Sequence, residues 1–225
     1  MNMKNLCFLF VVASVLLLMG CEFRYNGVVV GNVEQTREVT YTLDVEQLTS
    51  LELSGGGVDV VVDTAMANNQ VRVIANNDKL NKLVVKAEDG RLVISHKYNS
   101  GNKKYKVHVP AFGYNAVAVA GGCDLEWDCC DVDELTVAVS GGADCEIKGR
   151  CNTLTLAVSG GADVEFDELH AGDVSLVASG GADVKLHAVR TISVFASGGA
   201  DVYIDGTPQI SGWNVSGGAD VYINK

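Results

Sequence analysis

Proline is nearly missing from this chain, with two in 225 residues. No Pro- or Ser-rich stretch divides it, so the body is read as one large all-β domain rather than two. After residue 21 no stretch shows the 3.6-residue apolar stripe of a helix, and the 25 glycines recur too often for helix interiors. Basic residues are few: 17 Lys and Arg stand against 28 Asp and Glu, a formal charge of −11. An acidic body disfavours nucleic acid and anionic membrane surfaces as partners, and mildly favours cations or basic partners. The four histidines, His96, His108, His170 and His187, share no motif. The serines recur as a ladder, not beside a His and a carboxylate in a distinctive setting. Nothing here argues for catalysis, and no cofactor is called for.

What the chain has in abundance is one phrase. Ser-Gly-Gly-Ala-Asp occurs at Ser140–Asp144, Ser159–Asp163, Ser179–Asp183, Ser197–Asp201 and Ser216–Asp220, after a degenerate copy at Ala120–Asp124. The Asp positions step by 20, 19, 20, 18 and 19 residues. A fixed period near 20 in strand-type sequence means a solenoid. Within one copy, Leu154, Leu156, Val158, Val164 and Phe166 alternate with Ala157, Ser159, Asp163 and Glu165, the two-residue period of a strand with one buried face. The glycines let the strand bend sharply between its halves. A single copy cannot bury its own apolar side, so copies must stack.

The aligned columns agree. One inward column runs Trp127, Ile147, Phe166, Leu186, Ile204, Ile223, and another runs Val117, Val137, Leu156, Leu176, Val194, Trp213. Both are wholly apolar, and Trp213 is expected in the core with the rest. With rungs about 4.8 Å apart, six coils make a rod roughly 25–30 Å long.

Before the coils, Leu51–Val62 reads as an earlier variant copy with Asp59 in the Asp position; the 65 residues to Asp124 leave room for about three more coils. Leu83–Ile94 reads as a hairpin turning at Asp89-Gly90, and residues 76–81 as a loop. The basic cluster Lys103-Lys104-Tyr105-Lys106 is expected on a solvated strand edge.

The first 20 residues read as a targeting segment: Lys4, a nearly continuous apolar run from Leu6 to Leu18, then Leu18-Met19-Gly20-Cys21. That tetrad resembles the bacterial lipobox, which implies lipidation of Cys21 and a membrane anchor in an oxidising envelope compartment. An ordinary signal peptide or a short transmembrane helix is the alternative. The expected organisation is a lipoprotein signal at 1–20, a tether at 21–36 and one solenoid domain at 37–225. That domain is irregular over 37–115 and regular over 116–225.

The lipobox, the strand Lys106–Pro110 and the tandem coils together resemble the putative auto-transporter adhesin, head GIN domain family, over roughly residues 37–225. That family usually reads Ser-Gly-Ala-Gly-Asp where this chain reads Ser-Gly-Gly-Ala-Asp. The resemblance implies an all-β, right-handed parallel β-helix-like solenoid in an exported protein, and raises adhesion as a function.

Three constellations are candidates for chemistry. The first is the aspartate ladder, Asp124, Asp144, Asp163, Asp183, Asp201 and Asp220, stacked about 5 Å apart. Its structural reading is that each carboxylate accepts hydrogen bonds from turn N–H groups beside the glycines. The alternative is a row of Ca²⁺ sites on Asp144, Asp163, Asp183, Asp201 and Asp220, although the glycine–aspartate spacing of Ca²⁺-binding nonapeptides is absent. The second is an outward column ending in Tyr203 and Tyr222, with Phe195 and Asn214 nearby. These four residues are either a glycan- or protein-binding surface or a sheet-stabilising ladder. The third is the cysteines, with Cys130 and Cys151 at one corner of neighbouring coils as the candidate disulfide.

The sequence therefore predicts a non-catalytic outer-membrane lipoprotein, facing the surface or the periplasm, that recognises a glycan or protein ligand. A periplasmic scaffold pairing with another copy through its last coil is the alternative. A polysaccharide-processing β-helix enzyme ranks last.

Overall fold

The computed structural model describes residues 24–25, 28–29, 36–44, 47–76, 82–96 and 105–224. The leader, Cys21, residues 77–81 of the expected loop, and Lys103 and Lys104 lie outside them. The expected tether contains a two-strand hairpin, β1 (Arg24–Tyr25) with β2 (Val28–Val29).

The described residues contain no helix and form a β-solenoid of about five turns with coils about 20 residues apart. Its regular part is made of β10 (Ala116–Gly141), β11 (Asp144–Gly160), β12 (Asp163–Gly180), β13 (Asp183–Gly198), β14 (Asp201–Asp205), β15 (Gln209–Val215) and β16 (Asp220–Asn224). Each of these pairs in parallel with the coil before it, and the register joins like to like: Asp124 to Asp144, Asp144 to Asp163, Leu156 to Leu176, Ser179 to Ser197.

The glycine phrase sets the bend. Gly121, Gly141, Gly160, Gly180, Gly198 and Gly217 have φ between 74° and 85°, a left-handed conformation that a side chain resists. The following glycine's N–H donates to the carbonyl of the positive-φ glycine one coil earlier, as in Gly161 to Gly141 at 2.8 Å and Gly181 to Gly160 at 2.7 Å. A continuous hydrogen-bonded glycine spine therefore runs down the rod at the bend.

Inside, the alternation holds. Leu154, Leu156, Val158, Val164 and Phe166 are buried while Ala157, Ser159, Asp163 and Glu165 are exposed. Ala143, Ala162, Ala182 and Ala200, the alanines of the first four copies of the phrase, are wholly buried, so the turn packs inward through its smallest side chain.

The N-terminal half does not continue the coil count. β4 (Ser50–Ser54) and β5 (Gly56–Asp63) form a bent rung lying directly on β10, with Asp59 in register with Asp124. The room for about three coils between those two aspartates is not used for coils that separate them. The chain instead leaves through β6 (Gln70–Asn76) and β7 (Leu83–Glu88). It then lays β8 (Arg91–His96) and β9 (Tyr105–Pro110) on the far side of β4 and β5. Sequence order and stacking order thus differ at this end. The reason is a change of direction: β6 runs antiparallel to β9, β7 to β8, and β3 (Thr36–Thr42) to β6. The β7–β8 hairpin turns at Asp89 and Gly90, with φ of 50° and 74°, as the Asp-Gly signal predicts.

Lys106 is not on an edge. β9 lies between β5 and β6, Tyr105 is fully buried, and Lys106 faces outward in register with Asp59.

Trp213 also departs from expectation. It holds the inward register opposite Val194, yet it is 46% exposed. β15 and β16 form the last rung, and nothing among the described residues lies beyond it to cover Trp213.

Candidate functional site

Each strand half that follows a bend presents two outward columns. The first reads Lys106, Asp59, Asp124, Asp144, Asp163, Asp183, Asp201, Asp220 in consecutive register. The second reads His108, Val61, Glu126, Glu146, Glu165, Lys185, Tyr203, Tyr222. The face is graded: doubled carboxylates in the middle, one lysine, then aromatic rings at the open end. Repeat counting finds the coil members but not Lys106 and His108. Those two join the face only through the detour that stacks β9 on β5.

The acidic stretch lines a shallow groove of about 480 Å³ bounded by Lys106, Asp59, Asp124, Glu126, Asp144 and Glu165. A second hollow of about 270 Å³ continues it between Glu165, Asp183, Lys185, Asp201 and Tyr203.

Two of the turn N–H groups that the sequence offers to the aspartates are taken by the backbone of the preceding coil. Asp163, Asp183, Asp201 and Asp220 donate their own N–H groups to Ala143, Ala162, Ala182 and Ala200, and the second glycine of each phrase donates to the spine. Repulsion along the column is felt at Asp144. Asp144 is held above the usual carboxylate range by burial first, then by the charges of Asp163 and Glu165. Lys185 relieves the ladder locally, with its ammonium 2.8 Å from Glu165.

A group with a raised native pKa contributes stability below its unfolded value and loses it as pH rises through the native one. Asp144→Asn is thus expected to stabilise the protein at pH 7, by about 1 kcal/mol from neighbouring charges near 5 Å in a mostly aqueous medium. The gain should vanish near pH 3, where the wild-type carboxyl is neutral. Urea midpoints of both proteins across that range test it. At the opposite corner the sign reverses. Arg150 holds Asp131 at 2.8 Å and Arg190 holds Asp173 at 2.8 Å, lowering both carboxyls. Their contribution is present at neutral pH and is lost as pH falls through the lowered values.

The four aromatic-surface candidates fall into two pairs. Tyr203 and Tyr222 stack with ring centroids 5.2 Å apart and planes 15° from parallel, 40% and 48% exposed. Phe195 stands in register beside Asn214, also exposed, on the strand half before the bend at Gly198. The bend separates the two pairs. The raised phenol of Tyr222 reflects Asp220 first.

Among the described residues, no three His, Cys, Asp or Glu side chains gather to hold a metal. The carboxylates lie one per rung along a line, rather than around a point as cation coordination needs.

Cys130 and Cys151 are buried free thiols. Register sets Cys151 opposite Val132 and Cys130 opposite Gly149, so the two cysteines are diagonal neighbours. Burial, followed by the nearby Cys151, pushes the Cys130 thiol up to about 12.

The family model described as putative auto-transporter adhesin, head GIN domain, matches residues 47–208, and the chain belongs to that family. The crystal structure of a protein described as a putative adhesin from Bacteroides fragilis NCTC 9343 is similar at 16% identity and TM-score 0.61. That match covers 83% of this chain and 97% of the other. A putative adhesin from Parabacteroides merdae ATCC 43184 is similar at 11% identity and TM-score 0.47, covering 87% and 98%. A putative lipid binding protein from Parabacteroides distasonis ATCC 8503 is similar at 13% and 0.47, covering 84% and 97%. These likenesses concern the fold. No curated protein matches.

Proposed function

We propose that this chain is a non-catalytic adhesion module of the cell envelope, tethered by a lipid on Cys21, that binds a glycan along its graded face. The observation that carries the reading is the exposed Tyr203–Tyr222 stack, in line with outward carboxylates one rung apart. Aromatic planes take the apolar face of a sugar ring, and carboxylates accept from its hydroxyl groups. The same carboxylates repel uronic acids, so the ligand is a neutral or amino-sugar oligosaccharide. The family to which the chain belongs supports adhesion, and the linear array of acids argues for a surface that holds rather than one that cleaves.

The test is calorimetric titration of the full chain with neutral, amino-sugar and uronic acid oligosaccharides. Binding of the first two classes, weakened about tenfold or more in the Tyr203→Ala, Tyr222→Ala double variant, is expected. Undiminished binding in that variant, or preference for uronic acids, overturns the reading. Protease shaving of intact cells, with a periplasmic marker as control, addresses location: loss of the protein supports an external adhesin. Protection supports the second reading, a periplasmic scaffold, which the open last rung with its exposed Trp213 favours.

A further inference from the structure

The two ends of the rod are unlike. At the N-terminal end the outermost described strand of the β3–β6–β9 layer is β3, which exposes Thr36, Arg37 and Glu38. Charges on an edge strand discourage strand addition. The C-terminal rung, β15 with β16, carries one charge among its described strand residues, Asp220. Ile210, Trp213 and Tyr222 are 49%, 46% and 48% exposed, and Val215, Val221 and Ile223 are only partly covered.

The backbone of β16 shows what fits there. Asp220 donates its N–H to Ala200 at 3.0 Å, and Asn224 accepts from Gly206 at 3.2 Å. Residues 220, 222 and 224 therefore direct their N–H and C=O groups toward β14, and strand alternation directs those of Val221 and Ile223 to the free edge. In an antiparallel ladder, hydrogen-bonded pairs form only between residues that both face the edge. A second β16, turned about a two-fold axis through Tyr222, meets this condition. Val221 opposes the mate's Ile223 and Ile223 opposes its Val221, giving four backbone hydrogen bonds.

The side chains agree with the backbone. In that register the inward, apolar Val221 and Ile223 face each other, continuing the core. Tyr222 faces its own mate and extends the Tyr203–Tyr222 stack. Asp220 faces Asn224, so no like charges are opposed on the strand. Every pairing in the register is compatible, which is the self-complementarity an isologous interface requires.

We propose that two copies of this chain associate end to end through antiparallel pairing of β16 with β16, centred on Tyr222. Because each copy has one β16 and the two-fold pairing uses both free edges, association stops at two. The graded faces then join through their aromatic ends into one surface twice as long, with the rings at its centre and carboxylates on either side.

Light scattering of the full chain in mild detergent at about 100 µM should give twice the chain mass, falling toward one chain on dilution, as befits a small interface. Register is tested by cysteine cross-linking with copper phenanthroline in a background where Cys129, the exposed thiol among the described residues, and Cys7 and Cys21 are replaced by Ser. At a directly opposed non-hydrogen-bonded position the Cα atoms approach to about 4.5 Å, within disulfide range. Tyr222→Cys should therefore form a covalent dimer readily. Tyr203→Cys, one rung further in and about 14 Å from its mate, should not. A monomer at the highest concentration overturns the proposal. So does a dimer in which Tyr222→Cys links no better than Tyr203→Cys, and so does mass that keeps growing with concentration.

Discussion

Replacing Gly160 with alanine is expected to destabilise the protein by about 3 kcal/mol or more, whereas the same change at Gly161, its immediate neighbour, should fall within about 1 kcal/mol. The asymmetry comes from geometry. Gly160 has φ of 84°, and a Cβ there would lie 2.7 Å from the Gly141 carbonyl oxygen and 3.0 Å from its nitrogen. Those atoms belong to backbone, and they sit in the glycine spine, so neither can retreat without parting two coils. The left-handed conformation alone costs a side chain about 1–2 kcal/mol, and forced overpacking adds about 1–3. At Gly161 the nearest atom to a new Cβ is the Gly141 oxygen at 4.0 Å, an ordinary contact. Alanine there also reduces the freedom of the unfolded chain, which works in its favour. Urea unfolding followed by far-ultraviolet circular dichroism separates the two variants. Equal effects at both sites would show that the spine does not hold the bend. The two spellings of the phrase, Ser-Gly-Gly-Ala-Asp here and Ser-Gly-Ala-Gly-Asp in the family, share their first glycine, the one that must be left-handed.

The regular coils were legible because their information is local and repeated. An alternation such as Leu154-Thr155-Leu156 fixes which side chains point in, and a constant step fixes which residues stack. Asp144 on Asp163 and Phe166 on Leu186 could both be read from spacing alone. The N-terminal rungs were not legible in the same way. Spacing assumes that sequence neighbours are stacking neighbours, and β8 and β9 break that assumption by returning to the far side of β4 and β5. The signal for the reversal was present in Asp89-Gly90, since an antiparallel hairpin cannot belong to a parallel coil. The fate of the turn N–H groups was hidden for a different reason. A glycine beside an aspartate suggests a local side-chain bond, but stacking at this close approach gives the N–H of the second glycine a backbone carbonyl instead. Of the candidate site, the Tyr203–Tyr222 stack followed from the period. Lys106 and His108 entered the face only through the topology.

Position along the rod should matter as much as residue type, and two large aromatic residues in apolar columns provide the contrast. Phe166→Ala is expected to destabilise by about 3–5 kcal/mol, the usual cost of emptying a buried aromatic site. Phe166 is fully buried in β12, in register with Leu186 of the next coil. Its removal opens a cavity at an interface between coils, and a stacked array depends on each such interface to couple its halves. Trp213 is larger and holds the same kind of inward register, yet its outer side has no coil against it and it is 46% exposed. Trp213→Ala removes contacts on one side only and creates no enclosed void, so a loss of about 1 kcal/mol is expected at protein concentrations low enough to keep copies apart. Chemical denaturation of both variants, followed by circular dichroism and by tryptophan fluorescence, which in the second comes from Trp127 alone, measures the difference. A Trp213 loss equal to that of Phe166 in dilute solution would mean that the last rung is covered by other parts of the chain. A Trp213 loss that grows with protein concentration would instead reveal the contribution of this end to association between copies.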